Sequence, residues 1–399
     1  MRSRDHSIPS RVPSETARLP RNVIVLSWVS FFQDAASEML YPVLPLFLTS
    51  VLGAGPAAVG LIEGVAEGTA SALKGVSGRL ADRMKRRPLV AAGYGLSSIS
   101  KGLIALATGW PLVLFCRALD RAGKGLRTSP RDALIASATP PELRGRAFGF
   151  HRAADTAGAV LGPLIGLALY ELLDHQLRPL FGIAVIPALV STSLIAFVHE
   201  TPGTPARSPS PHAGGPLPRG YWKTVVILTA FALANFSDAL IILRAKQLGL
   251  AFVPLMLAYT LYNASYALLS YPAGSLSDRV PKQRVFAAGI GVFAVAYLGF
   301  AFAPGAAWVW PLLIIYGAYA ALTDGVGKAW ISGLVSRESA GTALGYYQGA
   351  GGVASVIAGV WAGLLWGSDG RLPFILSGVA AAVIALVLAR VDLRDSAAR

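Results

Sequence analysis

The sequence contains twelve apolar runs, each of roughly 20 residues, and this feature restricts the fold most strongly. A run of that length crosses the hydrocarbon core of a bilayer when it is wound as a helix. The chain of 399 residues is 54% hydrophobic and only 14% charged, whereas soluble proteins carry roughly 25% charged residues. Because so few polar groups cannot cover a globule in water, the sequence predicts an all-α integral membrane protein.

The runs predict twelve transmembrane helices, with a segment rich in Pro, Gly and Ser after the sixth. We expect helices at about residues 22–50, 57–80, 89–107, 111–129, 147–172, 179–198, 222–243, 254–271, 285–302, 310–331, 343–366 and 372–389. The predicted domains are a tail (1–21), a six-helix bundle (22–198), a linker (199–220), a second six-helix bundle (221–390) and a tail (391–399). Pro42 and Pro45 should interrupt the first helix, because proline lacks a backbone donor.

A short charged segment between two apolar runs occurs twice, at half the chain length. Residues 78–87 read G-R-L-A-D-R-M-K-R-R, and residues 274–284 read G-S-L-S-D-R-V-P-K-Q-R. The matching pairs, each 196 residues apart, are Gly78 and Gly274, Leu80 and Leu276, Asp82 and Asp278, and Arg83 and Arg279. We interpret each copy as a hairpin between two helices. The spacing predicts a protein made of two similar halves.

The positive charges follow the pattern expected for membrane topology. The net charge is +14, and the cations cluster in loops on alternate sides of the apolar runs. The intervening loops near Gly53, Gly109 and Pro304 carry no Lys or Arg. This predicts that both termini lie in the cytoplasm and that the chain spans the inner, or plasma, membrane. The excess of basic residues therefore indicates contact with the lipid bilayer, and we expect no nucleic-acid partner.

The charged segments and the fifth helix resemble the major facilitator superfamily, and the resemblance covers nearly the whole chain. Residues 78–87 are similar to the family's loop motif G-x-L-A-D-R-x-G-R-R, with lysine in place of its second glycine. The matching positions are Gly78, Asp82, Arg83, Arg86 and Arg87. The fifth helix is similar to the G-x-x-x-G-P-x-x-G motif of the family's antiporters, at Gly158, Gly162, Pro163 and Gly166.

This resemblance implies two six-helix bundles related by a pseudo-twofold axis, with a substrate cavity between them at mid-depth. It also implies secondary transport by alternating access. Under this interpretation Asp82 is a gate element at the end of the second helix, and its partner is the eleventh helix, near Ala343. The second copy of the motif, with Gly274, Asp278 and Arg279, is expected to gate the other half.

Several carboxylates lie within the apolar runs, where a charge costs at least ~2.5–3.5 kcal/mol, and three of them are in the first helices of the two halves. Asp34 and Glu38 share one face of the first helix, and Asp34 lies near mid-depth. Asp238 has a similar depth in the seventh helix. We expect these residues to line a central site, where Asp34, with Glu38 beside it, carries a coupling proton or recognises a cationic substrate. The alternative is that each one pairs with a neighbouring helix and only holds the bundle together.

One face of the fourth helix carries four charged residues: Arg117, Asp120, Arg121 and Lys124. Charges of this number cannot face lipid, so they must face the cavity or the carboxylates of the first two helices, among them Glu63 and Glu67. Arg117 resembles the fourth-helix arginine of the family's proton-coupled members, and we expect it to compete with the proton for Asp34. The alternative is a neutralised ion-pair network. For Lys74, Lys101, and Arg152 with Asp155, we expect structural pairing.

These observations favour a secondary active transporter that exports a small molecule, coupled to protons. The export direction depends on the fifth-helix motif. Uptake of an anionic metabolite is an alternative, favoured by the basic face of the fourth helix, and a receptor or scaffold is an alternative of another class.

No catalytic pair, phosphate loop or metal motif is present, and Cys116 is the single cysteine. We therefore expect no enzyme activity, cofactor or metal, and a monomer. Tyr and Trp near the helix ends indicate an interfacial belt.

The charge asymmetry predicts the topology directly. Reporter fusions at Thr204 and Arg86 should give a cytoplasmic signal, and fusions at Gly53 and Asp369 an external one. Paired phosphatase and fluorescent reporters measure the two sides. A cytoplasmic signal at Gly53 would contradict the arrangement of twelve helices.

Overall fold

The computed structural model describes residues 19–140, 144–199, 217–335 and 340–390. Within these ranges the chain is helical, with no β-strand, and it forms twelve long helices. They are α1 (Arg21–Val51), α2 (Pro56–Arg83), α3 (Arg86–Ala105), α4 (Trp110–Ala138), α5 (Arg144–Leu172), α6 (Leu177–Phe197), α7 (Arg219–Gln247), α8 (Phe252–Arg279), α9 (Lys282–Phe302), α10 (Val309–Gly333), α11 (Ala340–Leu364) and α12 (Arg371–Arg390). The predicted all-helical membrane fold is confirmed.

Some predicted features fall outside this description. They include the predicted tail 391–399, residues 1–18 of the other tail, and residues 200–216 of the predicted linker. The side chains of Gly78, Asp82, Arg83 and Asp278 are also outside it, although their backbone is helical. The expected gating contact of Asp82 therefore stays a prediction.

Helix composition separates two groups of helices. Among the described residues, eight helices are long and apolar enough to cross a membrane by length and composition alone. The other four are α2, α3, α4 and α11. The first three carry charges inside the bundle, and α11 is rich in glycine. These four helices pack mainly against other helices, so their polar groups are covered by protein.

Proline breaks two of the helices. The α-helical part of α1 ends at Leu40, and a turn containing Pro42 precedes a short segment and a π-helical turn (Phe47–Val51). The predicted interruption of the first helix is therefore present. Helix α6 is interrupted at Ala184, just before Pro187. Pro187 has no backbone N–H group to donate to the carbonyl oxygen four residues earlier.

Two helices continue beyond their predicted ends. Helix α4 passes through Pro130 to Ala138, and α8 passes through Pro272 to Arg279. Tertiary contacts support the extension of α4. Arg127 donates to the Ser97 hydroxyl at 2.6 Å, and Arg131 donates to the Ser30 hydroxyl at 3.1 Å. These contacts outweigh the local signal of the proline, which predicts a helix end.

The first charged segment is mostly helix rather than hairpin. Helix α2 continues to Arg83, and only Met84 and Lys85 separate it from α3. Lys85 has φ −58° and ψ 130°, an extended conformation that any residue adopts. The turn therefore does not need the glycine that the family motif has at this position.

The two halves meet along two pairs of helices, α2 with α11 and α5 with α8. Glycines let α2 and α11 approach closely. A Cβ atom at Gly60 would overlap the Gly359 carbonyl oxygen, and one at Gly64 would lie 3.0 Å from the Val356 Cα. Close backbone approach through small residues is typical of membrane helix pairs.

The contact between the halves differs between the two ends of the molecule. The basic end contains Lys85, Arg279 and Arg390, and the opposite end contains Gly53, Gly109 and Pro304. At the opposite end the rings of Tyr170 and Phe252 are 3.9 Å apart, and Lys246 donates to Ser50 at 2.7 Å. Towards the basic end, a Cβ at Gly349 of α11 would have no neighbour within 4 Å. The halves are therefore in contact at the opposite end, whereas α11 has no close neighbour at Gly349.

The glycine contact predicts a large difference between two substitutions on α11. Gly359→Ala should lower the stability of the purified protein by about 1–3 kcal/mol, because the added methyl group overlaps the backbone of α2. Gly349→Ala is the matched control and should be neutral or slightly stabilising, since alanine is the better helix former. Thermal unfolding of both variants in the same detergent tests this. Equal stability of the two variants would contradict the packing.

Candidate functional site

A row of glycines on α5 brings this helix against the acidic face of α1. The three glycines are Gly158, Gly162 and Gly166, and Pro163 lies among them. A Cβ at Gly162 would come within 2.8 Å of the Ala35 carbonyl oxygen and 3.0 Å of the Glu38 Cβ. A Cβ at Gly158 would come within 3.2 Å of the Asp34 Cβ. The antiporter-like motif therefore holds α5 against the two carboxylates that the sequence singles out.

This packing brings two carboxyl groups together. Asp155 lies about one turn before Gly158 on α5, and a Cβ at Gly158 would come within 3.2 Å of the Asp34 Cβ, so the two carboxyl groups are neighbours. A hydrogen bond between two carboxyl groups requires a proton on one of them. Asp155 also accepts from Arg152, at 3.2 Å. The pairing of Arg152 with Asp155 is present, but the sequence did not predict the contact with Asp34.

A polar chain connects this pair to the second half. Arg152 donates to the Tyr266 hydroxyl of α8 at 3.1 Å, and Tyr266 donates to Asp324 of α10 at 2.7 Å. Lys328 forms an ion pair with Asp324 at 2.9 Å. The chain of polar contacts therefore joins α5 to two helices of the other half, α8 and α10.

Glu38 also contacts the second half. The Tyr259 hydroxyl of α8 donates to Glu38 at 2.8 Å. The ring of Tyr41, one turn after Glu38, stacks on Tyr259 with centroids 5.7 Å apart. The Tyr41 and Ser237 hydroxyls are 3.4 Å apart, which joins α1 to α7. Glu38 and its neighbours thus line the boundary between the halves at mid-depth.

Asp238 lies at a break in α7. The helix stops at Ala234, and its second segment, Asp238–Gln247, starts with this carboxylate. The Tyr316 hydroxyl donates to Asp238 at 2.6 Å, and the Tyr262 hydroxyl donates at 3.3 Å. A broken helix inside a membrane protein is tolerated where it lines a cavity or is buried in protein.

The charged face of α4 forms a buried ion-pair network with α2 and α3. Arg117 donates to both carboxylate oxygens of Glu63, at 2.9 and 2.8 Å. Asp120 contacts Arg117 at 3.5 Å and Lys101 at 3.3 Å. All four residues are buried. Their formal charges cancel, because the network has two cations and two carboxylates.

The expectation that Arg117 meets Asp34 is therefore not met in this state. Among the described residues, the ion pairs of Arg117 are with Glu63 and Asp120. The reason is packing, since α4 lies mainly against α2 and α3 and touches α1 much less. The network is the alternative that the sequence left open.

Arg121 and Lys124 are arranged differently from Arg117. The described part of the chain shows no salt bridge to either residue, and the buried Nε of Arg121 has no hydrogen-bond partner. Lys124 is exposed, as is Glu67 across from it on α2. Lys124 is therefore accessible, whereas Arg121 is only partly exposed and its Nε is buried.

The gating motif can be placed in part. Arg86 begins α3, and Arg87 donates to the carbonyl oxygens of Ile195 and Ala196 at 3.2 and 2.8 Å. This contact ties α3 to α6 within one half. In the second copy, Gly274 lies inside α8 and Arg279 is its exposed last residue.

Sequence reasoning missed the tyrosines and Asp324. Tyr259, Tyr262 and Tyr316 lie within α8 and α10 around Asp238, not in an interfacial belt. The sequence contained one indication of these tyrosines: they lie inside apolar runs, where a phenol hydroxyl needs a hydrogen-bond partner. Asp324 was equally visible as a charge inside the tenth run. The described residues contain no group of three or more metal-ligating side chains.

Comparison with known sequences gives a consistent family. The family model described as Major Facilitator Superfamily matches residues 26–243 and 224–399. An uncharacterized MFS-type transporter of Methanocaldococcus jannaschii is 34% identical over 379 residues, which cover 93% of this chain and 94% of that protein. The multidrug resistance protein MdtH of Aeromonas hydrophila is 28% identical over 272 residues, covering 65% of this chain and 67% of that protein.

Solved structures share the fold at low sequence identity. The nucleoside transporter NupG has a TM-score of 0.75 at 14% identity, over 92% of this chain and 98% of that chain. A bacterial homologue of the human lysosomal transporter Spinster, in an inward-facing and occupied conformation, has a TM-score of 0.77 at 16% identity, over 94% and 98%. These likenesses show the fold alone.

The neutral network predicts that single and double substitutions differ. Glu63→Gln or Arg117→Gln alone should lower stability by about 3–5 kcal/mol, because each leaves an uncompensated buried charge. The double variant leaves Lys101 paired with Asp120, so it should recover most of that loss. Thermal unfolding of the four proteins in one detergent measures the coupling. Additive losses in the double variant would show that the pair does not act as a unit.

Proposed function

Because the chain belongs to the Major Facilitator Superfamily of secondary transporters, we propose that it exports a small molecule in exchange for protons. The observation that carries this proposal is the contact between Asp34 and Asp155. Two neighbouring carboxyl groups can share one proton, and these two lie on helices of the half that bears the antiporter-like glycines. A proton carrier needs such a site, reachable from one side at a time.

The proton site is connected to the conformational change through Arg152. When the carboxyl pair releases its proton, Asp155 gains negative charge and attracts Arg152 more strongly. Arg152 also binds Tyr266 of the other half, 3.1 Å away. Protonation of the pair therefore changes the strength of a contact between the halves, and this biases the equilibrium between two states.

Glu38 and Asp238 line the substrate path in this proposal, with Arg121 and Lys124 on the facing wall. Substrate enters the cavity while the carboxyl pair gives up its proton. The halves then rock, and the pair takes a proton from the other side as the substrate leaves. Arg117 and Asp120 contribute by holding α4 in position against α2, rather than by exchanging with the proton.

The orientation of the chain is also a proposal. Its basis is the excess of Lys and Arg at the basic end, which favours the cytoplasmic side of the inner membrane for that end and both termini. The absence of a close neighbour at Gly349 of α11, towards the basic end, supports a state that is open to the cytoplasm. In that orientation Asp82 and its copy Asp278 lie at the cytoplasmic mouth, where the gating motif would act. The boundaries of the tails and the linker remain proposals with it.

Two observations support export over uptake. Among the relatives, MdtH of Aeromonas hydrophila is named a multidrug resistance protein, and the alignment covers about two thirds of its length. The glycine row that identifies antiporter-like members packs directly on the acidic face of α1. Both observations point to exchange across the membrane in opposite directions.

A second candidate is uptake of an anionic metabolite. Arg121 and Lys124 favour it, because neither forms a salt bridge among the described residues. An anionic group of the substrate would neutralise the positive charges of Arg121 and Lys124. Vesicles tested with cationic, neutral and anionic compounds of one size distinguish the two functions.

Proton exchange should depend on both carboxyl groups of the pair. Asp34→Asn and Asp155→Asn should each abolish transport driven by a pH gradient, since an amide cannot bind or release the proton. Binding or downhill exchange should remain detectable in both. The measurement uses reconstituted vesicles with a pH-sensitive dye inside and the same compound panel outside. Asp174→Asn, in a loop at the opposite end where φ is 50°, is the control and should transport normally.

Two outcomes would overturn the coupling role. Wild-type transport in a well-folded Asp34→Asn protein would remove Asp34 from the mechanism. Loss of expression or thermal stability, restored by a second substitution at a neighbouring charge, would mean that the pair only holds α1 against α5.

A further inference from the structure

Asp238 is an acidic group of the second half without a basic partner among the described residues. The described residues contain no salt bridge to it, whereas Asp324 pairs with Lys328 at 2.9 Å. Its hydrogen-bond partners are two phenols, Tyr316 at 2.6 Å and Tyr262 at 3.3 Å. A carboxylate inside an apolar helix is expensive unless a positive charge or a proton compensates it. Asp238 is therefore compensated either by a proton or by a cation that the described part of the chain does not supply.

The backbone around Asp238 favours a negative charge there. The residue is at the start of the helical segment Asp238–Gln247, where the unpaired N–H groups give a partial positive charge. The two phenol O–H groups add donors aimed at the carboxylate. These groups stabilise the negative charge only in part, and they leave the phenol oxygens free to accept from a ligand.

Aromatic rings surround this carboxylate. Tyr262 and Tyr316 are stacked with centroids 5.3 Å apart, and Tyr259 lies 5.6 Å from Tyr262. The faces of such rings attract cations. The cation–π contacts of the described residues involve Tyr41, Tyr94 and Phe47, all in the first half. No arginine or lysine of the described part stacks on the three tyrosines around Asp238.

The remaining walls of this cavity are apolar. Besides Asp238 and the three tyrosines, it is lined by Ile241, Ile242, Ala245, Leu255 and Leu313. Its free volume in this state is about 10 Å³, the space of one water-sized group. A primary ammonium group has this size and carries three donors, whereas a quaternary ammonium is larger and carries none.

We propose that Asp238, Tyr262 and Tyr316 bind the ammonium group of the substrate, so that the transported compounds are primary amines on an apolar body. This inference rests on the proposed function, since it names the substrate class of the same cavity. The ammonium group donates to Asp238 and to the phenol oxygens and fills the free space of this cavity, so the apolar body lies outside it. The bulk of the molecule then extends towards Glu38 and the opening between the halves.

Binding of matched small probes to the full chain tests the proposal. The protein is placed in lipid nanodiscs, and the affinity for 2-phenylethylammonium is compared with that for phenylacetate and tetraethylammonium by calorimetry. Phenylethylammonium and phenylacetate share the aromatic body and differ in the sign of the charge. We expect saturable binding of the amine and at least about tenfold weaker binding of the other two, the effect of one lost charged hydrogen bond.

Variants locate the site. Asp238→Asn should weaken amine binding by about tenfold or more, and Tyr316→Phe, which keeps the ring, by a smaller factor. Asp369→Asn is the control for removing an acidic group, because Asp369 lies at the opposite end beside Arg371 and outside this cavity. It should bind the amine as the wild type does. Unfolding midpoints show whether each variant is folded. If Asp238→Asn does not fold, Tyr316→Phe still tests the site.

The outcomes are distinct from those that test proton exchange. Equal affinity for phenylacetate and the amine, or unchanged amine binding in a folded Asp238→Asn protein, would overturn the inference. If Asp238→Asn does not fold, unchanged amine binding in Tyr316→Phe would overturn it. Tetraethylammonium binding as tightly as the amine would overturn the assignment of a primary ammonium. These measurements use no gradient, and amine binding is required only to remain detectable in Asp34→Asn. Normal gradient-driven transport in that variant would reject proton exchange and leave the amine site standing.

Discussion

The cost of a charge inside a bilayer governs most of this structure. The first half lowers that cost by pairing its charges, as in the buried set of Arg117, Glu63, Asp120 and Lys101. The second half uses phenols instead, with two tyrosine hydroxyls on Asp238. The two halves share a fold but neutralise charge by different means. That difference makes one wall of the cavity ionic and the other aromatic.

Close backbone contact is the second constraint, and it serves two purposes. Between the halves, Gly60 and Gly359 let α2 and α11 touch near the opposite end, so this end can close without large side chains. Within the first half, the glycines of α5 hold α1 so tightly that Asp155 reaches Asp34. Residues without functional groups therefore determine where the reactive groups lie.

The polar contacts between the halves include Lys246 with Ser50 at the opposite end. Further along the boundary, Tyr259 reaches Glu38, and Arg152 reaches Tyr266. Glu38 can change its charge by protonation, and Arg152 also contacts a carboxylate, Asp155. A transporter that rocks between two states needs such contacts to break and form again at low cost, and exposed or wet hydrogen bonds contribute little net stability. The apolar and glycine contacts supply the stability of each half.

The sequence by itself determined the twelve helices, the repeat between the two halves, the break near Pro42 and the positions of Asp34, Glu38 and Asp238 inside apolar helices. Hydropathy and proline act locally, so they can be read along the chain. Only the tertiary structure decided which charges meet, as with Glu63 and Arg117 or Asp34 and Asp155, and which tyrosines surround Asp238. These contacts join helices far apart in sequence, and they depend on the rotation and separation of each helix. Packing determines both the rotation and the separation of the helices. It also stabilises α4 beyond Pro130, although the proline by itself predicts that the helix ends there.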